Sequence, residues 1–385
     1  MTGTSLDGAD CACVEFLLSR GKIIKWKTKW STSFEIPTAL QKRLLEVQLP
    51  EKKLSLQDLM GLESEYSHWL STSLDRILSR LEYQRVQPHA LAIHGQTIAH
   101  HPNERPRGQT LQILNPHLVA TQLGIPVVHD FRRGDIAAQG QGAPLVPLYH
   151  FELLKMKFGK KARQQRVALH NLGGISNLTA LLPSGELMAW DTGPGNCWID
   201  ETVRRVTKGR QGIDFGGALS SKGRIQHSVV DQVLAEHDYF RKSPPKSTGR
   251  DEFPYAFFEA RTQSLRGEDL VATATEVTAR SLANDYVKFL PLTQWIYFFG
   301  GGAKNATLLQ RVRAHLPHVR IETIPAEWGS PEFMEAEAFA YFGIRSLLGL
   351  PLGGTWTGAK QVGSAGSITP APGKPWIKLI QKLSD

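Results

Sequence analysis

Short apolar runs that stop in polar, glycine-rich turns set the rhythm of this chain. Leu91-Ala92-Ile93 leads into His94-Gly95-Gln96-Thr97, Pro126-Val127-Val128 into His129-Asp130-Phe131-Arg132, and Ile296-Tyr297-Phe298-Phe299 into Gly300-Gly301-Gly302. Runs of this kind predict short buried strands. Between them the apolar spacing turns helical: Leu59, Met60, Leu62, Tyr66, Leu70, Leu74, Ile77 and Leu78 mark a helix over 56–81, and Val271, Ala274, Val277, Leu282 and Tyr286 another over 270–290. Strands alternating with helices predict α/β layers. In open α/β sheets ligands gather beyond the carboxyl ends of strands, where these polar turns lie.

Composition narrows the choice. The 385 residues carry 45 Lys+Arg against 36 Asp+Glu, a net charge of +9. At about 150 residues per domain the length suggests two to three folding units and excludes a one-module binder. No stretch approaches the ~18 to 20 apolar residues of a membrane span, and Met1-Thr2-Gly3-Thr4-Ser5 lacks a secretory pattern, so no membrane partner is expected and the location read is cytoplasmic. Cys11, Cys13 and Cys197 make no disulfide framework and no zinc or redox spacing. The densest basic cluster, Lys155, Lys157, Lys160, Lys161, Arg163 and Arg166, contains one aromatic, Phe158, too few for a nucleic-acid platform; it reads as a solvated surface.

Three glycine clusters carry the candidate chemistry. In Gly3-Thr4-Ser5-Leu6-Asp7-Gly8-Ala9-Asp10, Asp7-Gly8 is a hairpin-turn signal, and the hydroxyls and amides of Gly3, Thr4 and Ser5 suit phosphate oxygens. Asp7 or Asp10 beside a polyphosphate would need Mg²⁺ between them; a plain β-turn is the competing reading. The second cluster runs through Asn171-Leu172-Gly173-Gly174, and Trp190-Asp191-Thr192-Gly193-Pro194-Gly195-Asn196 follows, with a helix beginning near Cys197. Asp191 is a candidate general base there, or a turn residue. Gly300, Gly301 and Gly302 form the third, which leaves room for a ring or a sugar against bare backbone. Neither G-x-G-x-x-G nor a Walker loop is present, since Pro244-Pro245 precedes Lys246-Ser247-Thr248 where glycines would be required. Arg132-Arg133 at a strand end suits a carboxylate or phosphate, or a solvated surface. His94, His100, His101, His129 and His170 show no zinc-ligand spacing.

Taken in order, these segments resemble the anhydro-N-acetylmuramic acid kinase family, a branch of the sugar kinase, heat-shock ATPase and actin superfamily. The resemblance rests on 2–8, 94–97, 130–133, 140–147, 171–174, 191–196, Lys246-Ser247-Thr248-Gly249-Arg250 and 300–303. It implies an α/β fold of two ribonuclease-H-like, actin-like ATPase domains, with the active site in the cleft between them. One lobe would take 1–145 and 340–385, the other 146–339. It further implies an enzyme that uses ATP, with Mg²⁺, to open and phosphorylate 1,6-anhydro-N-acetylmuramic acid from cell-wall turnover. By similarity Asp191 is the base. The ATP contacts are Gly3, Thr4, Ser5, Leu6, Asp7, Gly8, Ala9, Asp10, Asn171, Gly173, Gly174, Gly300, Gly301 and Gly302, with Asp7 and Asp10 toward the metal. His94, Arg132, Arg133 and Glu335 contact the sugar. The expected partners are an amino sugar and ATP, no nucleic acid, and a homodimer left open. Alternatives are another sugar or carboxylic-acid kinase of this fold, and a nucleotide-regulated interaction protein without turnover.

Three features depart from the family pattern. Family members carry an apolar strand before the first turn, whereas here the motif starts at Met1; the reading is that the true start lies upstream. Gly216 stands where an acid is usual. The tail from Gly373 to Asp385 runs past the usual end.

Overall fold

The computed structural model describes residues 1–2, 6, 8–48, 54–82, 87–102, 108–159, 166–182, 184–244, 246–361, 363 and 365–384. They divide into two units, residues 1–149 with 333–385, and residues 150–332.

In the first unit the alternating segment folds into β1 (Ala9–Ser19), paired antiparallel with β2 (Lys22–Phe34) from Ala9 opposite Phe34 to Ser19 opposite Lys22. The helices α1 (Thr38–Glu46) and α2 (Leu56–Glu82) follow. The stripe expected over 56–81 is the buried face of α2: Leu62, Tyr66, Leu70 and Leu74 pack with Leu40, Leu44, Ile93, Ile113, Val119 and Val127. Next come β3 (Leu91–Ala92), the hairpin of β4 (Gln96–His101) and β5 (Gln109–Ile113), then α3 (Pro116–Leu123), β6 (Val127–His129) and α4 (Arg133–Ala137). The bounds of α3 follow from its ends. Asn115 accepts the Leu118 N–H at 3.0 Å, Pro116 needs no amide partner in the first turn, and Gly124 closes the helix at φ 66°.

The second unit is built on one five-stranded sheet. A helix, α5 (Val146–Phe158), leads to β7 (Val167–Leu172), β8 (Ile175–Leu181) and β9 (Leu187–Pro194), and then to α6 (Cys197–Val206), α7 (His227–Glu236), α8 (Tyr255–Arg261) and α9 (Gly267–Phe289). After these come β10 (Trp295–Phe299), α10 (Ala306–His315) and β11 (Arg320–Thr323). The strand order is β11-β10-β7-β8-β9, with β8 antiparallel to both neighbours and β10 and β11 parallel to β7. That is the ribonuclease-H-like order. The helix expected over 270–290 is α9, buried along most of its length, where Val271, Ala274, Val277, Leu282 and Tyr286 join Leu172, Trp190, Trp198 and Phe298 in one core.

The chain then returns to the first unit through α11 (Met334–Leu347), β12 (Ser367–Thr369) and α12 (Lys374–Ser384). In this unit the strands fall into separate sheets. β1 and β2 form one sheet and β12-β6-β3 another, both against α11. Among the described residues the stretch before Ala9 contributes only the Thr2–Ala9 bridge, so nothing joins β1 to β3. The tail is helical from Lys374. Pro375 is tolerated in a first turn, where its missing N–H has no partner to lose, and Leu379 is buried.

Candidate active site

Asp191 stands near the carboxyl end of β9 and is gripped from three sides. Its N–H donates to the Lys246 carbonyl at 3.0 Å, and its own carbonyl accepts from the Tyr239 hydroxyl at 2.8 Å. One carboxylate oxygen, Oδ2, accepts the Thr248 N–H at 2.8 Å and the Ser247 hydroxyl at 3.2 Å. Among the described residues no hydrogen bond reaches Oδ1. Burial pushes the carboxyl up to about 6, against the opposing pull of the Thr248 amide, the Ser247 hydroxyl and the Lys246 ammonium. A carboxylate with one oxygen anchored, one open and a proton affinity close to neutrality is equipped to take a proton from a neighbouring water.

Two of the glycine clusters meet in the same unit. The turn between β7 and β8 presents the carbonyls of Gly173 and Gly174. These accept from Asn196 N–H at 2.8 Å, Gly195 N–H at 3.0 Å and Cys197 N–H at 3.1 Å. The amides at the head of α6 therefore tie the two loops together rather than facing a ligand. A side chain at Gly195 would strike the Gly173 carbonyl. Gly300, at φ 82°, lies so close to Asn171 Oδ1 and the Leu172 carbonyl that a Cβ would collide with them, and one at Gly302 would come within 2.6 Å of Asn196 Oδ1. Asn196 Nδ2 in turn donates to the Leu172 carbonyl at 2.9 Å. So Asn171, Leu172 and Asn196 pack against Gly300 and Gly302, while Gly301 faces open space. Below the turn His170 bonds to Tyr286 Oη at 2.9 Å and Ser176 Oγ at 2.6 Å. Thr192 donates to the same Ser176 oxygen at 2.9 Å.

In the first unit, Arg132 and His94 form a second cluster. Arg132 Nε donates to His94 Nε2 at 2.8 Å, so the imidazole is neutral and its Nδ1–H points to the Gly95 carbonyl at 2.9 Å. Burial first, and the Arg132 charge next, hold His94 well below its ordinary range. Arg132 Nη1 donates to the Gly142 carbonyl at 2.9 Å. Glu335, exposed on the first turn of α11, has Arg132 as a positive neighbour and Asp10 as a negative one. Arg133 is exposed and pairs with Asp130 at 3.4 Å, so the two adjacent arginines turn to different partners.

The first-turn residues Gly3, Thr4, Ser5 and Asp7 lie outside the described residues, as do Lys160, Lys161 and Arg163 of the basic cluster. Leu6 is buried at φ 55° and its carbonyl accepts from Gln41 at 2.8 Å; Gly8 lies against the Phe34 carbonyl, and Ala9 is buried. Asp10 Oδ1 accepts the Ser33 hydroxyl at 2.7 Å. Among the described residues no group of three His, Cys, Asp or Glu side chains could hold a metal ion, so Asp10 with its hydroxyl partner makes no Mg²⁺ cage by itself.

Sequence reading missed Tyr239, Asp285 and the burial of Lys246. The signal for Asp285 is an acid on the apolar face of α9, between Leu282 and Phe289. In the sequence Lys246 belongs to a segment of the family resemblance and to no Walker loop, and nothing local marks its burial.

The five-stranded sheet, with its glycine turns packed at the strand ends, defines an α/β protein of the ribonuclease-H-like class. The chain matches the family model for anhydro-N-acetylmuramic acid kinase over residues 1–371. It is 38% identical over 355 residues to the anhydro-N-acetylmuramic acid kinase of Shewanella oneidensis, covering 91% of this chain and 92% of that protein, and 36% identical over the same span to that of Shewanella baltica. Among solved structures, the PilM-PilN type IV pilus biogenesis complex aligns over 88% of this chain and 96% of that one at 14% identity, with a TM-score of 0.34, a likeness too loose to say anything of this chain. The chain belongs to the anhydro-N-acetylmuramic acid kinase family, and it is by that membership a kinase of cell-wall recycling. Among the described residues no helix is long and apolar enough to cross a membrane.

Proposed function

We propose that the enzyme uses ATP and water to open 1,6-anhydro-N-acetylmuramic acid and phosphorylate O6. The products are N-acetylmuramic acid 6-phosphate and ADP, formed in the cytoplasm. The observation that carries the reading is the Asp191 carboxylate, anchored through Oδ2 and open at Oδ1, in a family that acts on a bridged sugar.

Asp191 takes a proton from water as that water attacks the anomeric carbon. The C1–O bond to the bridging oxygen breaks, and the oxygen, still on C6, attacks the γ-phosphorus of ATP with ADP leaving. General-base assistance contributes roughly 10²- to 10⁴-fold, and alignment supplies much of the remainder. One carboxylate suffices, because the phosphoryl group captures the departing oxygen that a protonated acid captures in ordinary glycosidases. The glycine turns at 171–174 and 300–302 are read as backbone against the nucleotide. Arg132 keeps donors beyond those spent on His94 and Gly142, which suit the carboxylate of the sugar's lactyl arm. Arg133, Glu335 and His94 belong to the same reading as sugar contacts, and the first turn around Asp7 and Asp10 as the phosphate side.

The test is product analysis across a sugar panel with ATP. A 6-phosphorylated product from the anhydro sugar, and none from free hexoses or carboxylic acids, is the expected result. Phosphorylation of another acceptor in preference, or nucleotide binding with no product from any of them, would reject the proposal.

A further inference from the structure

Behind Asp191 lies a closed ring of four residues. Asp191 N–H donates to the Lys246 main-chain carbonyl at 3.0 Å, and the Lys246 ammonium contacts both Asp285 oxygens at 2.9 and 3.0 Å. Asp285 Oδ2 accepts from Trp190 Nε1 at 2.8 Å, and Trp190 precedes Asp191 on β9. The two charged side chains are 2% and 6% exposed. The ammonium lies 5.1 Å from the Tyr239 ring centre and 5.9 Å from that of Phe289, and the Tyr239 hydroxyl returns to the Asp191 carbonyl at 2.8 Å. Burying such a pair sacrifices two hydration shells, and an apolar pair of equal volume would hold a loop to a helix as well or better. The charge calls for a use. The two residues after Lys246 are the two that bind the Asp191 carboxylate.

We propose that Lys246 is a positioning residue for Asp191: locked on Asp285, it sets the 246–248 loop and its own positive charge against the carboxylate. The proposal rests on the reading of Asp191 as the base. The ionic neighbours on adjoining elements are Lys288 beside Asp285, and Glu252 and Lys242 beside Tyr239. Within the ring, Lys246 is the cation that favours the ionised form of Asp191, alongside the hydrogen bonds from Thr248 and Ser247.

The experiment pairs the pH dependence of kcat/KM with ¹³C NMR titration of the Asp191 carboxyl, assigned through Asp191→Asn. In Lys246→Met both midpoints rise, by about half to one pH unit, so that activity near pH 5.5 falls about three- to sevenfold more than activity above pH 8. In Ser247→Ala, which takes one hydrogen bond from Asp191 Oδ2, both rise as well. In Lys246→Arg the charge stays and both midpoints stay, whatever the loss of rate. Ser247 is exposed, so its variant folds even where Lys246→Met does not, and with Lys246→Arg it keeps the proposal open to refutation. A uniform loss of rate with both midpoints unmoved would reduce Lys246 to a scaffold residue and overturn the proposal. Movement of the carboxyl titration without movement of the rate profile would uphold the hold on Asp191 and remove Asp191 from the role of base.

Discussion

Replacing Asp191 with Asn sets stability against activity, and the structure gives both signs. The wild-type carboxyl is raised from 3.8 to about 6, chiefly by burial. The folded protein thus binds this proton more tightly than the unfolded chain does. Stability from this group is fully present below pH 3.8 and is lost as the pH rises through about 6. Two units at 1.36 kcal/mol each put the cost of ionised Asp191 at about 3 kcal/mol at pH 8. An Asn carries no such cost, and its amide oxygen still accepts from Thr248 N–H. Asp191→Asn is therefore expected to gain up to about 3 kcal/mol over wild type at pH 8, and close to nothing at pH 4. Turnover is lost in the same variant, while ATP and sugar binding stay nearly intact. Urea unfolding at the two pH values, with calorimetric titration of each ligand, reads all of this. A variant no more stable at pH 8 than wild type would contradict the buried, anchored carboxylate, and substantial residual turnover would contradict its role.

Other consequences are as definite. The pH profile of kcat/KM should fall on the acid side with a midpoint near 6, since Asp191 must be ionised to act; a midpoint near 4, the ordinary carboxylate value, would refute the assignment. Gly195→Ala drives a methyl into the Gly173 carbonyl and should weaken nucleotide binding while also lowering the melting temperature, as isothermal titration and thermal melts would report. Tyr239→Phe removes the donor to the Asp191 carbonyl and should cost about 1 to 3 kcal/mol of stability in denaturant titration. His150 and His170, which burial pushes down to about 3, fold as neutral rings. Because the unfolded chain takes up those protons first, stability should decline below pH 6.5, by about 2 kcal/mol for each ring at pH 5; His170→Gln should flatten that decline.

Periodicity carried much of the fold into view. Leu62, Tyr66, Leu70 and Leu74 lie on the buried face of α2 as their spacing requires, and the three apolar runs that end in polar turns are β3, β6 and β10. What escaped depends on contacts between distant segments. Nothing local says that Lys246 and Asp285, some forty residues apart, will meet, or that Asn196 will join 171–174 to 300–302.

The central claim is that one water, deprotonated by Asp191, opens the sugar as its bridging oxygen takes the phosphoryl group. Incubation with ATP, Mg²⁺ and the anhydro sugar in ¹⁸O-labelled water tests it directly. The account predicts one ¹⁸O at C1 of the 6-phosphorylated product and none in the transferred phosphoryl group. To resolve the label, the product is analysed by mass spectrometry before its anomeric hydroxyl exchanges with solvent. Label in the phosphoryl group, or ADP release with the sugar bridge intact, would contradict it.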